Sequence, residues 1–162
     1  GLEVSEHTLL NEIHDIAGVR VICSFIDDIY EVARLLVGQD DVTLLETKDY
    51  IRHPKPNGYR SLHLILQIPV FFADRKQKMT VEVQIRTLAM DFWASLDHEL
   101  HYKHEEGSEL QDVEEELRQC ADVIARTDER MQNIRKRIYG EATWEKKQEV
   151  EDEVCDSESN GE

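Results

Sequence analysis

Nine residues set three and four apart in turn, Leu110, Val113, Leu117, Cys120, Ile124, Thr127, Met131, Ile134 and Ile138, constrain this chain more than any other feature. A 3-4 repeat sustained for that length lays one apolar seam along one side of a helix. At a rise of ~1.5 Å per residue, a helix from Ser108 to Tyr139 runs about 48 Å, longer than a small domain is wide. Such a seam must dock on its own domain or be covered by a partner helix or a second copy. The residues after Lys147 are acidic and nearly free of apolar side chains, and read as a disordered tail.

The preceding hundred residues carry a different period. From Ser61 to Val70, Leu62, Leu64, Leu66 and Ile68 alternate with Ser61, His63, Ile65 and Gln67, and Tyr59 falls in phase with the second set. A polar loop, ADRKQK, leads to VEVQIR, where Val81, Val83 and Ile85 share one face and Glu82, Gln84 and Arg86 the other. Two such runs predict an antiparallel pair. Asp15 to Phe25 and Val42 to Ile51 read as two further strands. Between them Asp27 to Val37 reads as a helix capped by Asp27 and stopped by Gly38, with Ile29, Val32, Ala33 and Leu36 on its buried face. SEHTLLNEI fits a short helix capped by Ser5, and Thr87 caps one running to about His104. Helices mixed with about four strands define an α+β domain.

Charge narrows the function. The chain carries −16 at neutral pH, a field that repels DNA and RNA. No apolar run reaches the ~18 residues of a membrane span, and the three Cys form no CxxC pair, as expected for reduced structural thiols in a cytoplasmic protein. Against this background Lys48 to Arg60 holds four Lys or Arg and one Asp. Pro54 and Pro56 stiffen the backbone around Lys55, Asn57-Gly58 supplies a turn, and Tyr59 follows at the mouth of the strand. A cation, an aromatic plane and His63 on the same strand face suit a nucleotide, equally as they suit a surface loop with a half-buried Tyr.

There is no GxxxxGK[ST] and no GxGxxG, and HELH at 98–101 has i, i+3 spacing where a zinc helix needs i, i+4. Asp15, at the head of one strand, and Glu82, on the polar face of another, could together hold Mg²⁺, which typically takes one or two carboxylates plus substrate phosphates. Arg20 lies inside an otherwise apolar strand, where a charge needs a carboxylate or a ligand as partner.

In order and spacing, DIAGVR (15–20), YIRHPKPNGYRSLH (50–63) and EVQIRTLAMDFWASLDHELHYK (82–103) resemble the synthetase domain of the RelA/SpoT family, and among its members a small alarmone synthetase. The resemblance implies transfer of the β,γ-pyrophosphoryl group of ATP to the ribose 3′-OH of GTP or GDP, giving (p)ppGpp and AMP with Mg²⁺. It implies Asp15 and Glu82 as metal ligands and catalytic residues, with Glu82 the base for the 3′-OH. Arg20 would pack on adenine. Tyr59 would stack on guanine, with Lys55 and His63 at the phosphates and Gln84 beside the acceptor. Lys48 and Asp91 fall at acceptor positions where some small synthetases have Arg and Asn. The implied fold is a mixed five-stranded sheet flanked by helices, nucleotidyltransferase-like, followed by the long amphipathic helix. Residues 1–104 would form the synthetase core, lacking the family's N-terminal helices, 105–140 the packing or oligomerising helix, and 141–162 the tail. Homotetramers are common among small members. The family also carries a basic segment upstream of D-x-x-G-x-R, whereas residues 1–14 here hold no Lys or Arg. The alternative is therefore a guanine-nucleotide-binding module without full catalytic activity.

Overall fold

The computed structural model describes residues 18–103 and 110–140. Their elements run β1 (Gly18–Cys23), α1 (Ile26–Val37), β2 (Thr43–Asp49), β3 (Leu62–Phe71), β4 (Lys76–Thr87), α2 (Leu88–Lys103) and α3 (Leu110–Tyr139). The strands form one sheet in the order β1-β4-β3-β2. β3 pairs antiparallel with both β4 and β2, while β1 pairs parallel with β4, so the sheet is mixed.

The alternation read in β3 and β4 sorts the two faces as expected. Leu62, Leu64 and Leu66 oppose Ile85, Val83 and Val81, and all six are buried. α1 closes this face with Ile29, which is fully buried, and Ala33, while Val32 and Leu36 pack at the margin. Together with Cys23 and Met90 these side chains form the core.

β4 begins at Lys76, five residues earlier than its hydrophobic pattern announces, and the connection shrinks to a turn closed by Phe72 N–H to Arg75 O at 2.8 Å. The cap assigned to Asp27 is not formed. The N-cap is Phe25, with no side-chain bond, and the Asp27 carboxylate instead meets Gln132 at 2.7 Å and Lys136 at 3.1 Å on α3. Thr87 does cap α2, accepting from Met90 N–H at 3.1 Å. Where the resemblance implied five strands, the described residues supply four. The helix expected around Ser5 and the tail of 141–162 lie outside the described residues.

α3 is a 30-residue helix, as its spacing predicts, but the seam is not the surface that docks. Among its described side chains, Ala121, Asp128 and Gln132 are the buried ones. Of the seam residues whose side chains are described, Leu117 and Ile124 turn partly inward, leaving Val113 at 41%, Met131 at 51% and Ile138 at 65% exposure. Close approach explains the choice. The helix passes so near the Asn57–Arg60 loop that a Cβ added to Gly58 would lie 2.5 Å from that of Ala121, and only a small side chain fits there. Directional bonds complete the docking: Trp93 Nε1–H to Leu117 O at 2.9 Å, Thr87 Oγ1–H to Asp128 Oδ2 at 2.6 Å, and Arg135 paired with Asp28.

Candidate active site

Strand register carries the charged residues into rows on the face opposite the core. Lys48 of β2 pairs with His63 of β3, His63 with Gln84 of β4, and Gln84 with Arg20 of β1, one row across all four strands. Directly paired residues point to the same side, so these four side chains are neighbours. In the adjoining row Glu82 stands between Ile65 and Gly18.

The loop before β3 is held by its own hydrogen bonds. Gly58, at φ +92°, donates to Lys55 O at 2.8 Å, and Lys55 N–H returns to Tyr59 O at 3.2 Å. The Asn57 side chain accepts from Tyr59 N–H at 3.2 Å and donates to Asp97 on α2 at 3.4 Å. This turn aims Tyr59, half-buried, at the wall of a cavity of about 710 Å³ that Arg20, Arg86, Ala94, Ser95, Asp97 and His98 also line. Its volume is in the range of small-molecule sites.

Lys55 is not held away from the surface as the prolines suggested. Its ammonium sits 4.8 Å from the Tyr50 ring centre and 4.9 Å from that of Tyr59. The two tyrosines and His63 pack edge to face, with centroids 5.2 to 6.0 Å apart.

His63 is buried, and both its ring nitrogens are engaged: Nε2 lies 2.8 Å from Tyr59 Oη and Nδ1 2.8 Å from Glu82 Oε1. Burial lowers its pKa below the ordinary value, against the pull of Glu82. For Glu82, burial acts to raise the pKa. The hydrogen bonds from Gln84, at 3.0 Å, and His63, with the charge of Lys48, prevail and hold the carboxyl below its usual range. The carboxylate is thus ionised at neutral pH beside a neutral imidazole. Asp91 Oδ1 lies 3.4 Å from Arg20 and 3.3 Å from the buried Arg86. The Arg20 side chain is about half exposed and so could have been satisfied by water.

All the expected site residues but one therefore converge on this face: Tyr59, Lys55, His63, Lys48, Glu82, Gln84, Asp91 and Arg20. Asp15 lies outside the described residues. Three contributors went unassigned in the sequence. Arg86 bonds to Ser61, Tyr59, Gln84 and Asp91, Tyr50 completes the aromatic cluster, and Asp97 braces the loop. Arg86 was legible as the third polar member of β4, in phase with Glu82 and Gln84. Tyr50 had no periodic signal. Among the described residues no group of three or more His, Cys, Asp or Glu could hold a metal. Glu82 offers one hard oxygen donor of the kind Mg²⁺ prefers.

This α+β domain sets two guanidiniums and an aromatic ring at the wall of one cavity, with the Glu82 carboxylate on the same face of the sheet. A model of a region found in RelA and SpoT proteins matches residues 3–107. The GTP pyrophosphokinase YwaC of Bacillus subtilis is 47% identical over 138 residues, covering 85% of this chain and 65% of that protein. A second, YjbM of the same organism, is 40% identical over 126 residues, covering 78% and 59%. Among solved structures, small alarmone synthetase 1 of B. subtilis bound to its product pppGpp has a TM-score of 0.73 at 37% identity, covering 84% of this chain and 68% of that one. Small alarmone synthetase 2 of B. subtilis gives 0.73 at 44%, covering 83% and 78%. The chain belongs to the RelA/SpoT family. It spans 65% and 59% of the length of the two curated relatives.

Proposed function

We propose that this chain is the catalytic part of a GTP pyrophosphokinase, transferring pyrophosphate from ATP to the ribose 3′-OH of GTP or GDP and yielding (p)ppGpp and AMP. The observation that carries this reading is the convergence of Tyr59, His63, Glu82, Gln84 and Arg20 on one sheet face beside one cavity. Relatives that carry the activity in their names, one of them solved with pppGpp, support it.

Transfer of a phosphoryl-type group is mostly positioning and charge neutralisation. Tyr59 presents a ring for guanine to stack on, worth ~1–3 kcal/mol per base in comparable sites. Lys55, Lys48 and His63 surround the acceptor side, and Arg20 lies on the donor side. Glu82, ionised at neutral pH and bonded once at each oxygen, has lone pairs left to accept the 3′-OH proton. Mg²⁺, held by Glu82 and Asp15, would neutralise charge on the transferred phosphates. Asp15 precedes Gly18 by three residues, and Gly18 pairs with Glu82, so at most about 11 Å of chain separates its Cα from that of Gly18.

The reading extends to a fifth strand, to kinship with nucleotidyltransferases, to a cytoplasmic setting and to a homo-oligomer, a tetramer in the family's manner. The open seam of α3 supports assembly. Asp112, Glu114, Glu115 and Glu116 fall in its first half and Arg126, Arg130 and Arg137 in its last, so antiparallel copies would be complementary in charge. Replacing Met131 and Ile134 with Gln should reduce the mass measured by light scattering, and unchanged mass would remove the seam from the interface.

The decisive experiment incubates the chain with ATP, Mg²⁺ and GTP or GDP. AMP formed in step with a 3′-pyrophosphorylated nucleotide is the expected result. Tight GTP binding without product would leave the nucleotide-binding module as the function.

A further inference from the structure

We propose that Arg86 is the positioning residue that sets Glu82 and Tyr59 in a single geometry, through two hydrogen-bonded arms that both end on the Glu82 carboxylate. The two ends of each arm set the bond directions, because the guanidinium can only donate and the ionised carboxylate can only accept. On the second arm a neutral His63 ring lies between them. The guanidinium Nη2 lies 2.9 Å from Gln84 Oε1 and also meets Tyr59 Oη, so both oxygens accept. Along the first arm the Gln84 amide is thereby oriented, and its Nε2 donates to Glu82 Oε2 at 3.0 Å. Along the second, Tyr59 directs its own hydrogen to His63 Nε2, leaving the ring proton on Nδ1 to be donated to Glu82 Oε1. The opposite tautomer would set a nitrogen lone pair against a carboxylate oxygen at 2.8 Å.

The origin of both arms is itself fixed. Arg86 is 4% exposed, its Nε donates to Ser61 Oγ at 3.3 Å and its Nη1 to Asp91 Oδ1 at 3.3 Å, and Ser61 is anchored to Ile85 O. Chains of hydrogen bonds that run one way reinforce one another. Here they start at a buried cation, finish at an anion, and hold one oxygen each. The ring that would take guanine and the carboxylate that would take the proton cannot shift independently.

The Arg86 and Gln84 bond directions stand on geometry, and the Tyr59–His63 direction stands also on a neutral ring, which the nitrogen spectrum reads directly. Only the effect on turnover rests on the proposed function. Nitrogen NMR of the free protein, without nucleotide or metal, tests the directions, with His63 assigned by its loss in His63→Gln. The expected result is a neutral imidazole protonated at Nδ1, with Nε2 shifted by an incoming hydrogen bond. Protonation at Nε2 would overturn the inference. Tyr59→Phe should release the Nε2 shift, Arg86→Lys should move it part of the way, and no movement in Arg86→Lys would overturn the hub. In turnover, Arg86→Lys should lower kcat/KM for GTP about 100-fold, the scale of an ångström-level misplacement. Adding Tyr59→Phe or Gln84→Met should then cost less than twofold more, and full additivity would sink the proposal. Should Arg86→Lys not fold, Tyr59→Phe/Gln84→Met severs both arms while leaving the buried guanidinium in place. The same 100-fold loss is expected there, and a loss under twofold would overturn it. A wild-type protein with the expected nitrogen spectrum and no synthesis would remove the proposed function and leave the positioning intact.

Discussion

The two faces of β4 are one residue apart along the strand and solve opposite problems. On one side Val81, Val83 and Ile85 need only be apolar and of suitable volume, since close packing against β3 and α1 satisfies them. On the other, Glu82, Gln84 and Arg86 each depend on particular atoms of particular neighbours. The core face holds the sheet together, and the polar face holds a hydrogen-bonded set whose Arg86 lines the cavity. Substitutions on the first should therefore act on stability, and on the second on chemistry.

The sharpest test of that division is Glu82→Gln. It should lower turnover by about 10²–10⁴-fold, the range for loss of a general base, with GTP affinity kept within a few fold. A large fall in unfolding free energy would assign Glu82 to the frame instead. Ile85→Ala is the mirror experiment. Ile85 is fully buried, so the loss should be about 2–5 kcal/mol in urea unfolding, and KM for GTP should hardly change in the protein that remains folded. Tyr59→Ala should weaken guanine-nucleotide binding by roughly 1–3 kcal/mol in calorimetry, and unchanged binding would remove the ring from the site.

The smallest effect is in pH. Burial holds the His63 pKa below its ordinary value, so the unfolded chain binds a proton where the folded one does not. Stability should be full above about pH 6.5 and fall as the pH drops through that value. Glu82, held below its usual range, gives up its contribution only below about pH 4.3, so the two windows separate. Urea midpoints at pH 7.5 and 5.5 should differ in the wild type and converge in His63→Gln. An unchanged difference would place the titrating group elsewhere.

The same contrast explains what could be read in advance. Strict alternation in β3 and β4 is a local signal of burial, and the core followed from it. Lys76 to Thr80 escaped because both faces of that end of the hairpin are at least partly exposed, so its polar residues carry no period. Asp27 has the composition of a cap, yet its partners lie on α3, about a hundred residues away, which no local rule anticipates. The seam of α3 reads correctly as a stripe, but its spacing leaves open whether it docks on its own domain or is covered by a partner helix or a second copy. The face that docks is made of Ala121, Asp128 and Gln132, small or polar residues that a hydrophobic pattern passes over. In the site, residue types and strand phase located the participants. Their pairings required the register, which sets Lys48, His63, Gln84 and Arg20 in one row, and the aromatic stacking that captures Lys55.

Gly58 and Ala121 meet with less than a methyl group to spare. A contact that tight ties the Asn57–Arg60 loop and the long helix to a shared inheritance. Any side chain at 58 is opposed by both the φ of +92° and the facing methyl, and relief at 121 lifts only the second obstacle. The inner surface of that helix and the turn beneath it must therefore change together or not at all.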